Sequence, residues 1–452
     1  MSAFRVAVLL AVAAVAVAAV AATDYGTMYD DGLLKQTGQQ NERVILYNLR
    51  NVFFPKLTPT ERERLRVLSI EFPLRGPHGQ PFEFYADSSG RVSMPLMSIR
   101  FLRDLCLAYV WLDTNGYTME SVVDYVSMLK YQPQSHVDFG GRYPDPIRAL
   151  QIPANATDNS RVRNAYQNIL SESLAFLLLH EVGHVLYRHP GYGDRITPAD
   201  ARQHRQNEDE ADRFALEVLR RVAQPVEGVS FFFLSAAHFV PHRHDFASDA
   251  DYEKELVQQT HPLTSERVKR VAEYMRQYAA DYARGQDNPA RATVRMRGTA
   301  DAIDRQVVPV LADPEQHRLM AMRGWSMTLA GLAPRRPGEL LAAPPPTSGA
   351  RSPSFHGVFD GEMDDGTARL PVRALFSRRG DRVEGRYSFG AAEGKVIGFV
   401  EGDTLTFKWD TEISSGRGVL RSSPDGSRFQ GTWGNGDRTD DGGRWKAARR
   451  RE

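Results

Sequence analysis

Cysteine is nearly missing from this chain: Cys106 is the only one in 452 residues. An intramolecular disulfide is therefore impossible, and zinc sites built from several thiolates are excluded. Cys106 lies in the apolar stretch FLRDLCLAYVWL, where a free thiol is expected to pack as a small hydrophobe. Net charge is lacking too. Lys and Arg number 57 against 56 Asp and Glu, a formal balance of +1, so no global field draws the chain to nucleic acid or anionic lipid, and no nucleic-acid partner is expected. Long apolar runs are scarce apart from one at the start, where 17 small or apolar residues, 6–22, follow Arg5. A membrane span needs about 20 residues, and this run is short and rich in Ala and Val. Ala19-Val20-Ala21 and Val20-Ala21-Ala22 both fit a signal-peptidase site. Residues 1–22 thus read as a signal peptide that sends the chain to the periplasm or outside the cell. The alternative is an uncleaved anchor, the one source of membrane contact. With no Cys after the run, a lipoprotein is not expected.

What is present suits a soluble globular protein, 42% hydrophobic and 25% charged, long enough for two or three domains. Residues 23–42 are polar and read as poorly ordered. Short strands are expected over 66–72, 81–85 and 91–94, and helices over 98–112 and 117–130. Residues 132–158, rich in Pro, Gly and Asp, read as a surface loop. A long helix should start at 158–160, whose side chains offer cap oxygens, and stop by Pro190-Gly191. It is apolar all round over 174–179 and so should be buried on most sides. A second helix should run from Thr197-Pro198 to about Val222, and a third from 263 to about 284. Residues 333–354 form a Pro-rich linker. Beyond it, residues 355–450 alternate in short segments such as DRVEGRYSFG, GKVIGFVEG and DTLTFKW, separated by Gly and Asp. That texture predicts a small antiparallel barrel or sandwich. Its aromatic residues Tyr387, Phe389, Phe399, Phe407, Trp409, Phe429, Trp433 and Trp445 are expected to form a core, or else to line an open-ended barrel that holds a ligand.

Within the long helix stands His180-Glu181-Val182-Gly183-His184. Imidazoles four apart project from one helical face and can meet at one ion. Neutral imidazole suits Zn2+, and Glu181 beside the ligands is placed to deprotonate a zinc-bound water. With 12 His in the chain, chance supplies such a pentapeptide in roughly two chains per hundred, so the pattern alone is only suggestive. Its apolar setting adds the weight, because a buried Glu between two His needs a reason. A catalytic zinc requires a third protein ligand and one open position. The next helix offers Glu208 and Asp212, which share a face. Glu208 could bind the metal while Asp212 accepts a hydrogen bond from a ligand His and fixes its tautomer. Glu210 is the reserve third ligand, and a solvated acidic face is the bland alternative for the whole run. His189, about 140° around the helix from His184, reads as a rim residue or a helix-end charge. His238, His242 and His244 read as a surface loop, with one of them a candidate oxyanion donor. His261 could structure a turn through Pro262, and Arg267 could pair with Asp212.

The segments HEVGHVLYRH, EDEADRFA and THPLTSERVKRV resemble the gluzincin metallopeptidases, above all the CaaX prenyl protease and HtpX-type family with its periplasmic relatives, and a wider group of secreted bacterial metallopeptidases. The resemblance covers roughly residues 80–280. It implies an α+β architecture: a mainly helical zincin-like domain with a small edge sheet over 43–332, followed here by the all-β barrel. It implies His180, His184 and Glu208 as Zn2+ ligands, Glu181 as general base and Asp212 as the residue behind a ligand. His261-Pro262 and Arg267 match the family's H-P-x-x-x-x-R element. Residues 90–94 are similar to the family's edge strand, to which an extended protein or peptide substrate could add. Two departures stand out: a short spacing from His184 to Glu208, and a long loop between the edge strand and the zinc helix. The expected activity is endopeptidase. The alternatives are a zinc-containing secreted binding or chaperone-like protein without turnover, and a zinc amidase on cell-wall peptides. Oligomeric state is not legible.

Overall fold

The structure, a computed structural model, describes residues 25–131, 143–194, 197, 200–246, 249–259, 261–327, 329–337, 355–364, 369–379, 382–389, 392–411, 414–423, 425–436 and 438–450. The expected signal peptide lies outside these residues, as do Pro198, most of the Pro-rich linker and the first part of the 132–158 loop. The chain divides into two compact units, a helical one ending at Leu341 and a C-terminal one.

Among its described residues the helical unit carries fourteen α-helices: α1 (Asp31–Asn48), α2 (Pro59–Arg64), α3 (Leu96–Thr114), α4 (Glu120–Tyr131), α5 (Pro146–Ala149), α6 (Ser160–Tyr187), α7 (Ala201–Arg221), α8 (Glu227–Ala237), α9 (Asp249–Leu256), α10 (Ser265–Gln277), α11 (Ala279–Ala283), α12 (Pro289–Ala302), α13 (Val308–Ala312) and α14 (Pro314–Ser326). It also holds a three-stranded sheet of β1 (Ser69–Glu71), β2 (Tyr85–Ala86) and β3 (Arg91–Ser93), in the order β1-β3-β2. Residues 25–42 are ordered, contrary to the polar reading. Tyr25, Met28, Tyr29 and Leu34 are buried, the Tyr25 hydroxyl donates to Leu129 O at 2.8 Å, and that of Tyr29 donates to Asp104 at 3.1 Å. A few large side chains outweigh many polar ones, because each fully buried one contributes about 1.5–3 kcal/mol. Cys106 is buried in this core, as expected.

Helix α6 is the axis of the unit. The Asn159 side chain accepts from Arg161 N and Val162 N and starts it. It is long and apolar enough to cross a membrane, but 83% of that apolar window is buried within the unit, so its apolar character is that of a core helix. Helix α7 packs along it. The two backbones come close at Gly183, where an added Cβ would sit 3.0 Å from Ala211 Cα. That approach brings one face of α7, with Glu208 and Asp212, against the His180 and His184 turns of α6. Helix α8 closes on the other part of α6, with Gly228 N donating to Glu172 at 2.8 Å.

The C-terminal unit is a closed eight-stranded antiparallel barrel: β4 (Gly357–Asp364), β5 (Arg369–Arg379), β6 (Arg382–Phe389), β7 (Ala392–Glu401), β8 (Thr404–Thr411), β9 (Ser415–Ser422), β10 (Arg428–Asn435) and β11 (Gly443–Arg449). Each strand pairs with the next, and β11 returns to β4 through Trp445↔Met363. The barrel alternative is therefore the observed one, and closure leaves no free edge. Phe355, Phe359, Phe376, Phe407, Phe429 and Trp445 fill the interior, with ring centroids 5.2–6.4 Å apart. Tyr387 and Trp409 are buried with them, while Phe399 and Trp433 are half-buried. Glycines within the strands make room for these rings: a Cβ on Gly394 of β7 would meet Tyr387 at 2.4 Å and one on Gly418 of β9 would meet Phe407 at 2.3 Å.

Candidate metal centre

Helical spacing sets His180 and His184 on the α6 face that meets α7. Both are buried, as are Glu181, Glu208 and Asp212. The His184 and His180 Nε2 atoms lie 3.1 Å apart. Glu208 brings Oε1 to 3.3 Å from His184 Nε2 and Oε2 to 3.5 Å from His180 Nε2. The segment before α10 adds His261, whose Nδ1 is 3.3 Å from His180 Nε2 and 3.2 Å from Glu208 Oε2. His180, His184, Glu208 and His261 thus offer four ligand atoms within 4.8 Å of one another and could hold a metal ion. Two ligands each about 2.0–2.1 Å from a tetrahedral ion sit roughly 3.3–3.4 Å apart. The five separations above, 3.1–3.5 Å, lie near that edge, so the donor set fits a small divalent cation.

Around these donors stands a shell of charge. Asp212 Oδ1 lies 2.8 Å from His180 Nδ1, an ion contact rather than an aligned hydrogen bond. Arg267, in the first turn of α10, is buried and grips Asp212 with two bonds, Nε to Oδ2 at 2.7 Å and Nη2 to Oδ1 at 2.8 Å. Its Nη1 reaches Glu208 Oε2 at 2.6 Å. The expected Arg267–Asp212 pair is therefore present, and it extends to Glu208. Thr264 caps α10 and sets the turn that aims Arg267 inward.

Burial and charge act against each other here. Burial would depress His180, but Asp212 and Glu208 raise it to about 10. Burial would also lower His261, and Glu181 and Glu208 raise it instead. His184 shows the opposite balance: burial drives it well down, and Glu208 only partly offsets that. For Glu208, burial pushes upward, yet Arg267 and His261 hold it well below the ordinary carboxylate range. Glu181 is pushed up by burial against the pull of His261 and His180. Its Oε1 lies 3.2 Å from His261 Nε2, and its buried Oε2 has no hydrogen-bond partner among the described residues.

Several expectations change. His261 does more than shape a turn: it joins the cluster, and its Nε2 meets Phe84 O at 3.1 Å. Glu210 stays outside, 56% exposed, at 3.1 Å from His189. His189 is not a rim residue but buried, because α6 ends at Tyr187 and the turn folds His189 back. His238 and His242 are buried rather than on a loop surface. His238 bonds Leu234 O, and His242 belongs with Asp245 and His317 in a separate cluster. Strand β3, expected at an edge, is central, because β1 pairs with it in parallel and β2 antiparallel. The strand beside the metal-site residues is β2. Ala86 O accepts from Tyr192 N at 2.8 Å, and Phe84 O, just before the strand, faces His261.

The family model for peptidase U49 matches residues 113–285. That stretch contains all four donors, Glu181, Asp212 and Arg267, and the match indicates a peptidase family. No curated protein and no solved structure matches the chain significantly.

Proposed function

We propose that the chain is an exported zinc-dependent endopeptidase of the gluzincin kind, with His180, His184 and Glu208 as zinc ligands and Glu181 as general base. The observation that carries this reading is the convergence of two imidazole Nε2 atoms and the Glu208 carboxylate near tetrahedral-edge spacing, beside a buried Glu181 Oε2 with no hydrogen-bond partner among the described residues. The peptidase family match over the same residues supports it. The leader-like run at 6–22 supports export. Zinc held there would supply Lewis acidity, activating water and polarising the carbonyl of the bond to be cut. Glu181 would take the proton of the attacking water and pass it to the leaving amine. Its upward shift brings it nearer the neutral range in which such a base works. Asp212 would orient His180, and Arg267 would hold both carboxylates in place.

One observation favours a second reading. With His261, four protein donors are in reach, and a four-ligand site suits a structural zinc without turnover. Metal analysis with a fluorogenic peptide assay separates the two. The endopeptidase reading expects about one zinc per chain and hydrolysis abolished by chelator. Glu181→Gln should keep the metal and lose turnover, and Glu208→Ala should lose the metal. A Glu181→Gln protein that cleaves at the wild-type rate overturns the mechanism. A zinc-loaded wild type that cleaves no peptide supports the structural alternative.

A further inference from the structure

We infer that His189 is a positioning residue for His184, the inner link of a relay Glu210–His189–His184 that fixes which His184 nitrogen is free to bind metal. The inference rests on the proposed role of His184 as a ligand and adds two residues to that site.

The backbone makes the contact. Helix α6 ends with Arg188 in the left-handed region, at φ 58°. Arg188 N then bonds Val185 O at 3.2 Å, and His189 N bonds His184 O at 3.0 Å. This pair of reversed bonds is the Schellman turn, in which the residue two beyond the helix packs against the third from its end. Those two positions are usually apolar. Here they are His189 and His184, so the turn presses two imidazoles together, with Nδ1 atoms 3.1 Å apart and ring centroids at 5.1 Å. Tyr187 stacks on the outer side of His189 at 5.6 Å. His189 Nε2 lies 3.1 Å from Glu210 Oε2 on α7.

Proton placement then follows by elimination. Two Nδ1 atoms at hydrogen-bond distance need one donor and one acceptor. A metal-ligating His184 must present Nε2 bare, so its proton sits on Nδ1. His189 Nδ1 is thus the acceptor, its own proton sits on Nε2, and Glu210 accepts that proton. A ligand histidine usually donates to a carboxylate or carbonyl. His184 donates instead to a second imidazole, which carries the carboxylate behind it. His180 meets Asp212 directly, so the two ligands are supported by different devices.

The test uses full-length protein and Zn2+ alone, with affinity read by chelator competition. His189→Leu removes the acceptor and should weaken zinc binding by about 10–100-fold. In His189→Asn the side-chain oxygen stands near the Nδ1 position, so binding should recover to within about threefold of wild type. Glu210→Ala should weaken binding less than His189→Leu. In zinc-loaded wild type labelled with 15N-histidine, His189 should carry its proton on Nε2 and leave Nδ1 bare. A His189→Leu protein that binds zinc as tightly as wild type overturns the inference while leaving the proposed function standing. So does an Asn variant as weak as the Leu variant, or a His189 protonated on Nδ1. If His189→Leu does not fold, the Asn variant and the tautomer measurement decide. A wild type that binds no zinc overturns the proposed function and this inference together.

Discussion

Replacing Arg267 by Met removes a guanidinium that touches both buried carboxylates of α7. Arg267 makes two bonds to Asp212 and one contact to Glu208, at 2.6–2.8 Å, with about 5% of its own surface exposed. At an effective dielectric near 20, one ion pair with charges about 4 Å apart is worth ~4 kcal/mol. Two such pairs would suggest about 8 kcal/mol, but the imidazoles of His180 and His261 face the same carboxylates and retain part of that. Breaking a buried pair by deleting one partner typically costs about 3–5 kcal/mol, and we expect Arg267→Met to fall in that range without metal. Urea unfolding followed at 222 nm reads the helical unit, since the other unit is all strand. Arg267→Lys restores charge but not the planar fork, so it should lie between Met and wild type. Zinc should recover part of the Met loss, because a bound cation replaces the missing charge beside Glu208 and adds RT ln(1 + [L]/Kd). A metal-free Met variant within about 1 kcal/mol of wild type would show that the fork contributes no net stability, and the reasoning would fail.

Two further outcomes test the frame around the site. Burial, then the neighbouring Glu227, push Glu172 up to about 8, against the Gly228 N–H bond that lowers it. The folded state therefore keeps a proton that the unfolded chain gives up near pH 4.5, and its contribution to stability is lost as pH rises through 8. Glu172→Gln should match wild type near pH 5 and exceed it by about 2 kcal/mol or more at pH 9; parallel stability–pH curves would contradict this. Gly183→Ala puts a methyl 3.0 Å from Ala211 Cα and 3.3 Å from Phe214. Overpacking of about 1–3 kcal/mol should outweigh the helix-propensity gain of about 1 kcal/mol, and the displaced α7 should carry Glu208 away and weaken zinc binding. A stabilised variant with unchanged zinc affinity would mean the two helices part without cost.

Much of this fold is legible because its elements follow one period each. Helix α6 is announced by a cap, an apolar centre and Pro190, and the structure starts and stops it within a few residues of those signals. Seven of the eight barrel strands alternate visibly in the sequence. The missed one, β4, follows the linker and interrupts its alternation with Gly357 and Gly361. Helices α12 to α14 are also missed. Arg291, Arg295 and Arg297 sit among the apolar residues of α12, and only Ala292, Met296 and Ala300 are buried there, too thin a stripe to stand out. The small sheet goes wrong for another reason: strands of two or three residues contain too little pattern to fix their order, and the strand likened to a family's edge strand is central here.

The site divides along the same line. His180, Glu181, His184, Glu208 and Asp212 sit on two helices, where spacing alone predicts which side chains share a face. His261 and His189 sit just past helix boundaries, where no period applies. Continuing α6 by rote places His189 about 140° from His184, and the left-handed Arg188 cancels that rotation. A glycine at position 188 would have signalled the turn, since glycine adopts that conformation without steric cost. Arginine hides it, and only Pro190 hints that the helix must break. Arg188→Gly should therefore keep the turn and stabilise the helical unit slightly, whereas a β-branched residue there should disfavour the left-handed backbone and pull His189 off His184. The conformation of one residue outside the H-E-x-x-H motif thus governs whether Nδ1 of its second histidine meets His189.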